Sequence, residues 1–380
     1  MDALTTPLPK DWEVKTFRDI STINQGLQIP ISQRLKAPTE HAKFYITIQA
    51  LNNRKEFEYI KTYNESVVCH KDDILMTRTG NTGMVITNIE GVFHNNFFKI
   101  NFDRTLINKD FLVYFLSLEQ TQKTILKKAG TSTIPDLNHN DFYSLSIPLP
   151  PLNEQIAIAN ILSDVDHYLY SLDALILKKE SVKKALSFEL LSQRKRLKGF
   201  NQNWQRVRLG DICEIVKGQQ INKISLNNTD KYPVINGGID FLGYTNKFNV
   251  SKNTIAISEG GTCGYVRFMT SDFWSGGHNY SLQKISNKVN NLCLYHTLKS
   301  YEKDIMKLGV GFGLKNIQLK ALKDFEILLP PLNEQAAIAN VLSDLDHEII
   351  SLKNKKRQFE NIKKALNHDL MSAKIRVLKK

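Results

Sequence analysis

Two stretches of this chain carry apolar residues at alternating spacings of three and four. The first runs through Ile158, Leu162, Val165, Leu169, Leu172 and Ile176 to Leu186 and Leu190. The second runs through Ile338, Leu342, Leu345, Ile349, Leu352 and Phe359 to Leu366 and Leu370. Each fits one heptad register over about five heptads, the seam of a coiled coil. Lys179, Lys183, Lys356 and Lys363 interrupt the two seams. Pro150-Pro151 and Pro330-Pro331 stand where a helix can start, and Glu154 falls in a first turn, where the helix dipole favours an anion. No glycine or proline follows before Gly199 in the first stretch, or before the C-terminus in the second. The pattern predicts two helices of some 44 residues, each roughly 65 Å long.

The two helices are copies. Leu149–His167 returns at Leu329–His347, a shift of 180, with sixteen of nineteen positions identical. Lys183-Lys184-Ala185-Leu186 matches Lys363-Lys364-Ala365-Leu366 in the same register. Two unrelated amphipathic helices, each packed on its own domain, would not need such identity. Residues 199–330 join the end of one helix to the start of the other and suffice for one compact domain. Helices that pair with each other must then run antiparallel, giving a dumbbell with a pseudo-two-fold axis. Pairing with other chains is the alternative.

The globular stretches repeat more loosely. Trp12, Asp19-Ile20 and Gly26 answer Trp204, Asp211-Ile212 and Gly218. Residues 73–85 answer 254–266, each reading as strand, glycine turn, strand. A helix is expected from an Asn108 cap to a Gly130 stop, and its counterpart from Asn287 to Gly309. Between these framework positions the surface differs, as in 41–63 against 231–250. The expected architecture is therefore two α/β (α+β) globular domains, 1–150 and 199–330, separated by two long antiparallel coiled-coil helices, 151–198 and 331–380.

Composition narrows the function. The 380 residues are 42% hydrophobic and can hold two cores, and no apolar run reaches the ~18 residues of a membrane span. The segment MDALTTPLPKDW lacks a hydrophobic targeting stretch, and Cys69, Cys213, Cys263 and Cys293 are scattered, as in reduced cytoplasmic proteins. The net charge of +13 suits a polyanion partner, although residues 1–151 carry 17 basic against 16 acidic groups and 199–330 carry 16 against 10. No phosphate loop, dinucleotide or S-adenosylmethionine glycine motif, amino-methylation motif, nuclease motif or Cys/His metal cluster is present, so the sequence gives no sign of a catalyst.

The paired helices opened by P-L-P-P-L-N-E-Q and L-L-P-P-L-N-E-Q, the Trp-(x)6-Asp-Ile head of each half, and Gly199-Phe200 before the second half resemble the specificity subunit of Type I restriction-modification systems. The resemblance covers essentially the whole chain. The shift is 192 at the tryptophans but 180 at the helices, so the first domain is twelve residues longer. The resemblance implies a non-catalytic subunit whose two target recognition domains each read one half of a split site in double-stranded DNA. Its helices would set the unread spacer and dock two modification subunits, and restriction subunits would join that complex. S-adenosylmethionine, ATP and magnesium are expected on those partners and none on this chain.

On that resemblance, DNA contacts are sought in the glycine turns and in the loop after each domain helix. The first domain offers Arg78, Thr79, Asn81 and Thr82, then Thr131 and Ser132. The second offers Ser258, Glu259, Thr262 and Arg267, then Phe312, Lys315 and Asn316. Arginine suits guanine, asparagine adenine, and glutamate cytosine. The strip Gly276–Tyr280 is a further candidate, with His278 expected to be buried. Asn153, Glu154 and Gln155, with Asn333, Glu334 and Gln335, either pin the helix start to its domain or bind the modification subunit. Two alternatives remain at this level: the recognition subunit of a split Type II-like restriction-modification enzyme, and a coiled-coil adaptor whose domains bind proteins.

Overall fold

The computed structural model of the chain describes residues 8–52 and 57–377; the first seven residues of the N-terminal segment, and 53–56 within the variable 41–63 stretch, lie outside them. The chain divides into two compact units, residues 1–172 with 355–380, and residues 173–354. Each long helix therefore gives one half to each unit.

In the first unit a four-stranded antiparallel sheet, with Ile74–Thr77 buried throughout, runs in the order Ser21–Gln25, Phe97–Phe102, Ile74–Thr77, Val85–Ile86. A second sheet runs Tyr59–Ile60, Lys43–Ile46, Gly91–Phe93, Val68–Cys69, with its two middle strands parallel. Glu13–Thr16 pairs antiparallel with Ser146–Leu149 and brings both ends of the domain to the start of the first long helix. The main core gathers Phe17, Phe98, Phe111 and Phe142 with Ile158 and Leu162 of that helix and Leu370 and Met371 of the second.

The second unit repeats the plan. Its four-stranded sheet is Glu214–Lys217, Asn279–Gln283, Thr254–Ser258, Val266–Met269. Tyr232–Ile235 lies between antiparallel Gly243–Thr245 and parallel Trp274–Ser275, and Gln205–Arg208 pairs with Glu326–Leu329. Leu190 and Leu191 cluster with Ile338, Ala339 and Leu342, the residues 180 positions away from the corresponding contacts of the first unit.

The long helices are Leu152–Leu191 and Leu332–Met371, 40 residues each. Within the first unit, the Tyr168 ring packs against that of Phe359 and Lys363 binds Asp166, while residues near 158 meet residues near 370, so the segments run antiparallel. Within the second unit, Lys183 binds Asp346 and Lys179 pairs with Glu348 at 2.8 Å, again antiparallel. All sixteen seam residues are buried or half-buried. The lysines at positions 179, 183 and 363 that break the apolar repeat are ion-paired across the seam.

Three sequence expectations change. The helices stop at Leu191 and Met371, before the expected end at 198, because Gln193 and Ala373 adopt positive φ of 61° and 56°. Lys195 N then donates to Glu189 O at 3.1 Å and Ile375 N to Asp369 O at 3.2 Å, closing the exposed carbonyls without a glycine. The single domain helix is two, Lys109–Leu116 and Glu119–Ala129, and its counterpart is Asn291–Ser300 and Glu302–Lys307. Asn108 caps the first as expected, but the second cap is Asn290, whose side chain accepts from Cys293 N, and not Asn287.

Candidate nucleic-acid interface

The two glycine turns are built alike. Thr77 Oγ1 donates to Asn81 O at 2.6 Å and accepts from Met84 N at 2.9 Å, with Gly80 and Gly83 at positive φ. In the second unit Gly264 N donates to Ser258 O at 2.8 Å, with Gly261 and Gly264 at positive φ. A Cβ on Gly264 would lie 2.7 Å from the Met306 backbone, so only glycine lets the following helix approach.

Each turn meets the loop that follows the domain helices, which brings the two groups of candidate residues together. Leu137 N donates to Arg78 O at 2.9 Å, and Ile317 N donates to Glu259 O at 2.9 Å. Asn81, Thr131 and Ser132 are exposed in the first unit. In the second, Gly309–Val310 and Asn316–Ile317 form a small hairpin that exposes Phe312, Lys315 and Asn316 beside half-buried Thr262. The Phe312 ring touches nothing in its own chain that shields it, and its relative exposure is 110%.

Other candidates face inward. Thr82 is buried and donates to Pro135 O at 2.7 Å. Ser258 is buried beside Asn279, and buried Glu259 accepts from Lys217 Nζ at 2.7 Å and from the Tyr280 hydroxyl at 3.2 Å. The expectation of exposure fails for these three: Ser258 ends a core strand and Glu259 follows it directly, while Thr82, inside the turn, points inward to the carbonyls of Arg78 and Pro135. Arg78 forks between Asp136, at 2.6 Å, and the Leu137 carbonyl, and Thr79 also binds Asp136. Arg267 lies on the return strand, away from the turn, bound to the carbonyls of Gly238 and Ile239 and stacked 5.1 Å from the Phe241 ring. His278, expected to be buried, is exposed; its N–H donates to Asn236 Oδ1 at 3.0 Å.

The helix-start triplets divide by position. Asn153 and Asn333 are exposed, while Glu154, Gln155, Glu334 and Gln335 are buried. Gln155 accepts from Asn108 N at 2.9 Å and donates to the carbonyls of Leu106 and Pro150. Gln335 does the same for Asn290 N, Lys288 O and Pro330 O. Glu154 accepts from Trp12 Nε1 at 3.1 Å and from the Arg376 guanidinium. Glu334 accepts from Trp204 Nε1 at 3.1 Å and from Arg196. The buried carboxylates raise the pKa of both arginines through their hydrogen bonds. The glutamates and glutamines thus seat each domain on its helix start.

Sequence reasoning missed one polar cleft of about 520 Å³ in the first unit, lined by Arg34, Gln49, Asn52, Glu58, His94 and Asn96 among others. Arg34 is fixed by Glu58 at 2.9 Å and by Ile29 O. Burial is the largest single influence on Glu58 and pushes its carboxyl up, but the hydrogen bonds and charges of Lys36 and Arg34 together hold it below the usual range. Burial, with Arg34 close by, lowers the His94 pKa, and its Nδ1 accepts from Asn96 N at 3.1 Å. The neutral ring therefore carries its proton on Nε2. The signal for this cleft lay in the 41–63 segment, where the two domains diverge. Among the described residues, no group of His, Cys, Asp and Glu could hold a metal, and no helix is long and apolar enough to cross a membrane.

The family model described as the Type I restriction modification DNA specificity domain matches the chain twice, over residues 9–179 and 201–361. The chain belongs to that family. Each matched segment takes in a globular domain and most of the long helix after it. It is similar to the specificity subunit of the Type I restriction enzyme MjaVIII of Methanocaldococcus jannaschii, 26% identical over 97% of this chain and 94% of that one. A candidate type I specificity subunit of Mycoplasma pneumoniae is 40% identical over 39% of the chain, a match that spans 40% of that relative's length. The fold is that of the crystal structure of a Type I restriction-modification S subunit from M. genitalium, with a TM-score of 0.68 at 21% identity over 96% of this chain and 98% of that one. The HsdS subunit from Thermoanaerobacter tengcongensis aligns with a TM-score of 0.50 at 18% identity, over 98% and 99%.

Proposed function

We propose that this chain is the sequence-reading, non-catalytic subunit of a Type I restriction-modification complex. Each globular domain reads one half of a split site in double-stranded DNA. The duplicated seat carries this reading: one Trp–Glu–Arg lock and one glutamine clamp hold two domains whose exposed surfaces share little chemistry. Common mounting with unlike surfaces is what two readers of two different half-sites require. Exposed Asn81, Thr131 and Ser132, and Thr262, Lys315 and Asn316, stand at the rim of each candidate face, where phosphate and base edges are within the reach of short polar side chains. The long helices set the number of unread base pairs. Their outward apolar residues, such as Tyr170, Leu177 and Ile350, are exposed and suit docking of two modification subunits, with a restriction subunit joining that complex. S-adenosylmethionine, ATP and magnesium belong to those partners.

The test is methylome sequencing of a host that expresses this chain with its modification subunit, against the same host lacking this chain. Loss of adenine methylation at one split motif is the expected result. Methylation that does not depend on the chain refutes the proposal.

A further inference from the structure

In both units the parallel strand pair ends at the same place and leaves it with different chemistry. Ile46 lies beside Phe93 in the first unit and Ile235 beside Ser275 in the second. The segments that follow, 94–96 and 276–278, each touch the glycine turn in the same way. Arg78 N donates to Asn96 O, and Glu259 N donates to His278 O, both at 2.8 Å. The first unit then places the short helix Ile48–Asn52 opposite His94-Asn95-Asn96. The second places the turn Asn236-Gly237-Gly238 opposite Gly276-Gly277-His278. A Cβ on Gly276 would fall 2.5 Å from Asn236 Oδ1, so the second unit cannot carry a side chain where the first carries His94. One scaffold position thus presents two unrelated sets of polar groups.

The adjoining turn is poorly free to read bases, because Arg78, Thr82 and Glu259 are spent on internal partners. Gln49 and Asn52 are exposed, and among the described residues neither carboxamide has a hydrogen-bond partner. Three positions apart on one helical turn, they point to the same side. Behind them the Arg34–Glu58 pair and neutral His94 form a fixed polar wall. A carboxamide matches adenine by accepting from N6 and donating to N7 in the major groove.

Resting on the specificity reading above, we propose that the first domain discriminates its bases at this cleft, with Gln49 and Asn52 as reading side chains for adenine. The test uses the complex of the full chain with its modification subunits. Binding is compared across duplexes in which each base pair of both half-sites is substituted in turn. For Gln49→Leu and Asn52→Leu, discrimination falls by roughly 5- to 150-fold at one A·T pair of one half-site. The other half-site keeps its full discrimination. Because both side chains are exposed, the melting temperature of the variants is expected to match that of the unaltered chain, which serves as the folding control. Unchanged discrimination at every position overturns the proposal, and so does a uniform loss across all sequences, which marks a backbone contact. If the unaltered complex prefers no split site at all, the specificity reading itself falls, and this inference with it.

Discussion

Arg376, beyond the end of the second long helix, holds the buried carboxylate of Glu154 at the start of the first, Nε to Oε1 at 2.7 Å and Nη2 to Oε2 at 2.9 Å. The same guanidinium reaches Asp11 at 2.9 Å, whereas the matching position in the second unit is the neutral Asn203. Glu154→Ala strands the Trp12 N–H and removes one of the two carboxylate partners of Arg376, leaving Asp11. A loss of about 2–4 kcal/mol is expected in chemical denaturation, somewhat below the ~3–5 kcal/mol for breaking a fully buried pair at one partner, because Arg376 is half-buried and keeps Asp11. Glu334→Ala is expected to weaken the second unit in the same sense.

His296 is buried against Ser343, its Nε2 3.3 Å from the Ser343 hydroxyl, and burial lowers its pKa to about 4. The folded form binds the proton more weakly than the unfolded form, whose imidazole titrates near ~6.5. Stability is thus fully present above pH ~6.5 and declines as pH falls towards 4, by up to about 3 kcal/mol. His94, whose pKa is also depressed, acts in the same direction. Melting curves of His296→Asn between pH 7 and 4 are expected to be flatter than those of the unaltered chain.

The seam predicts a spacer effect. Seven residues inserted at matching points of both helices preserve the heptad register and add ~10 Å of helix. Methylome sequencing is expected to show both half-sites unchanged and the spacer longer by about three base pairs.

Phe312 has no packing to lose. Phe312→Ser is expected to leave stability within ~0.5 kcal/mol while weakening DNA binding by the assembled complex, measured by titration at fixed salt. Unchanged affinity removes the 309–317 hairpin from the interface.

Much of the architecture was legible because it rests on periodicity and repetition. The heptad residues, the prolines ahead of Leu152 and Leu332, and the strand–turn–strand runs all state their geometry locally. The helix ends did not, because Gln193 and Ala373 take a left-handed conformation without glycine. The triplets after the prolines stayed ambiguous because their partners are far away in sequence: Trp12 is 142 residues from Glu154 and Arg376 is 222. The candidate site was legible only as a neighbourhood. Turn chemistry pointed to 78–82 and 258–262, but whether Thr82, Ser258 or Glu259 faces water depends on the sheet behind it. The cleft at Gln49 and Asn52 has no motif; it exists because two distant segments end at one strand pair.

The lock that seats each domain is written entirely in residues common to both halves: tryptophan at the head, glutamate and glutamine at the helix start, arginine after the helix end. A crossover between the two copies, or with another gene of the same design, would deliver a foreign domain already fitted to its socket. Such a chain can change its vocabulary in one event and keep its grammar, since the part that varies and the part that mates are inherited separately.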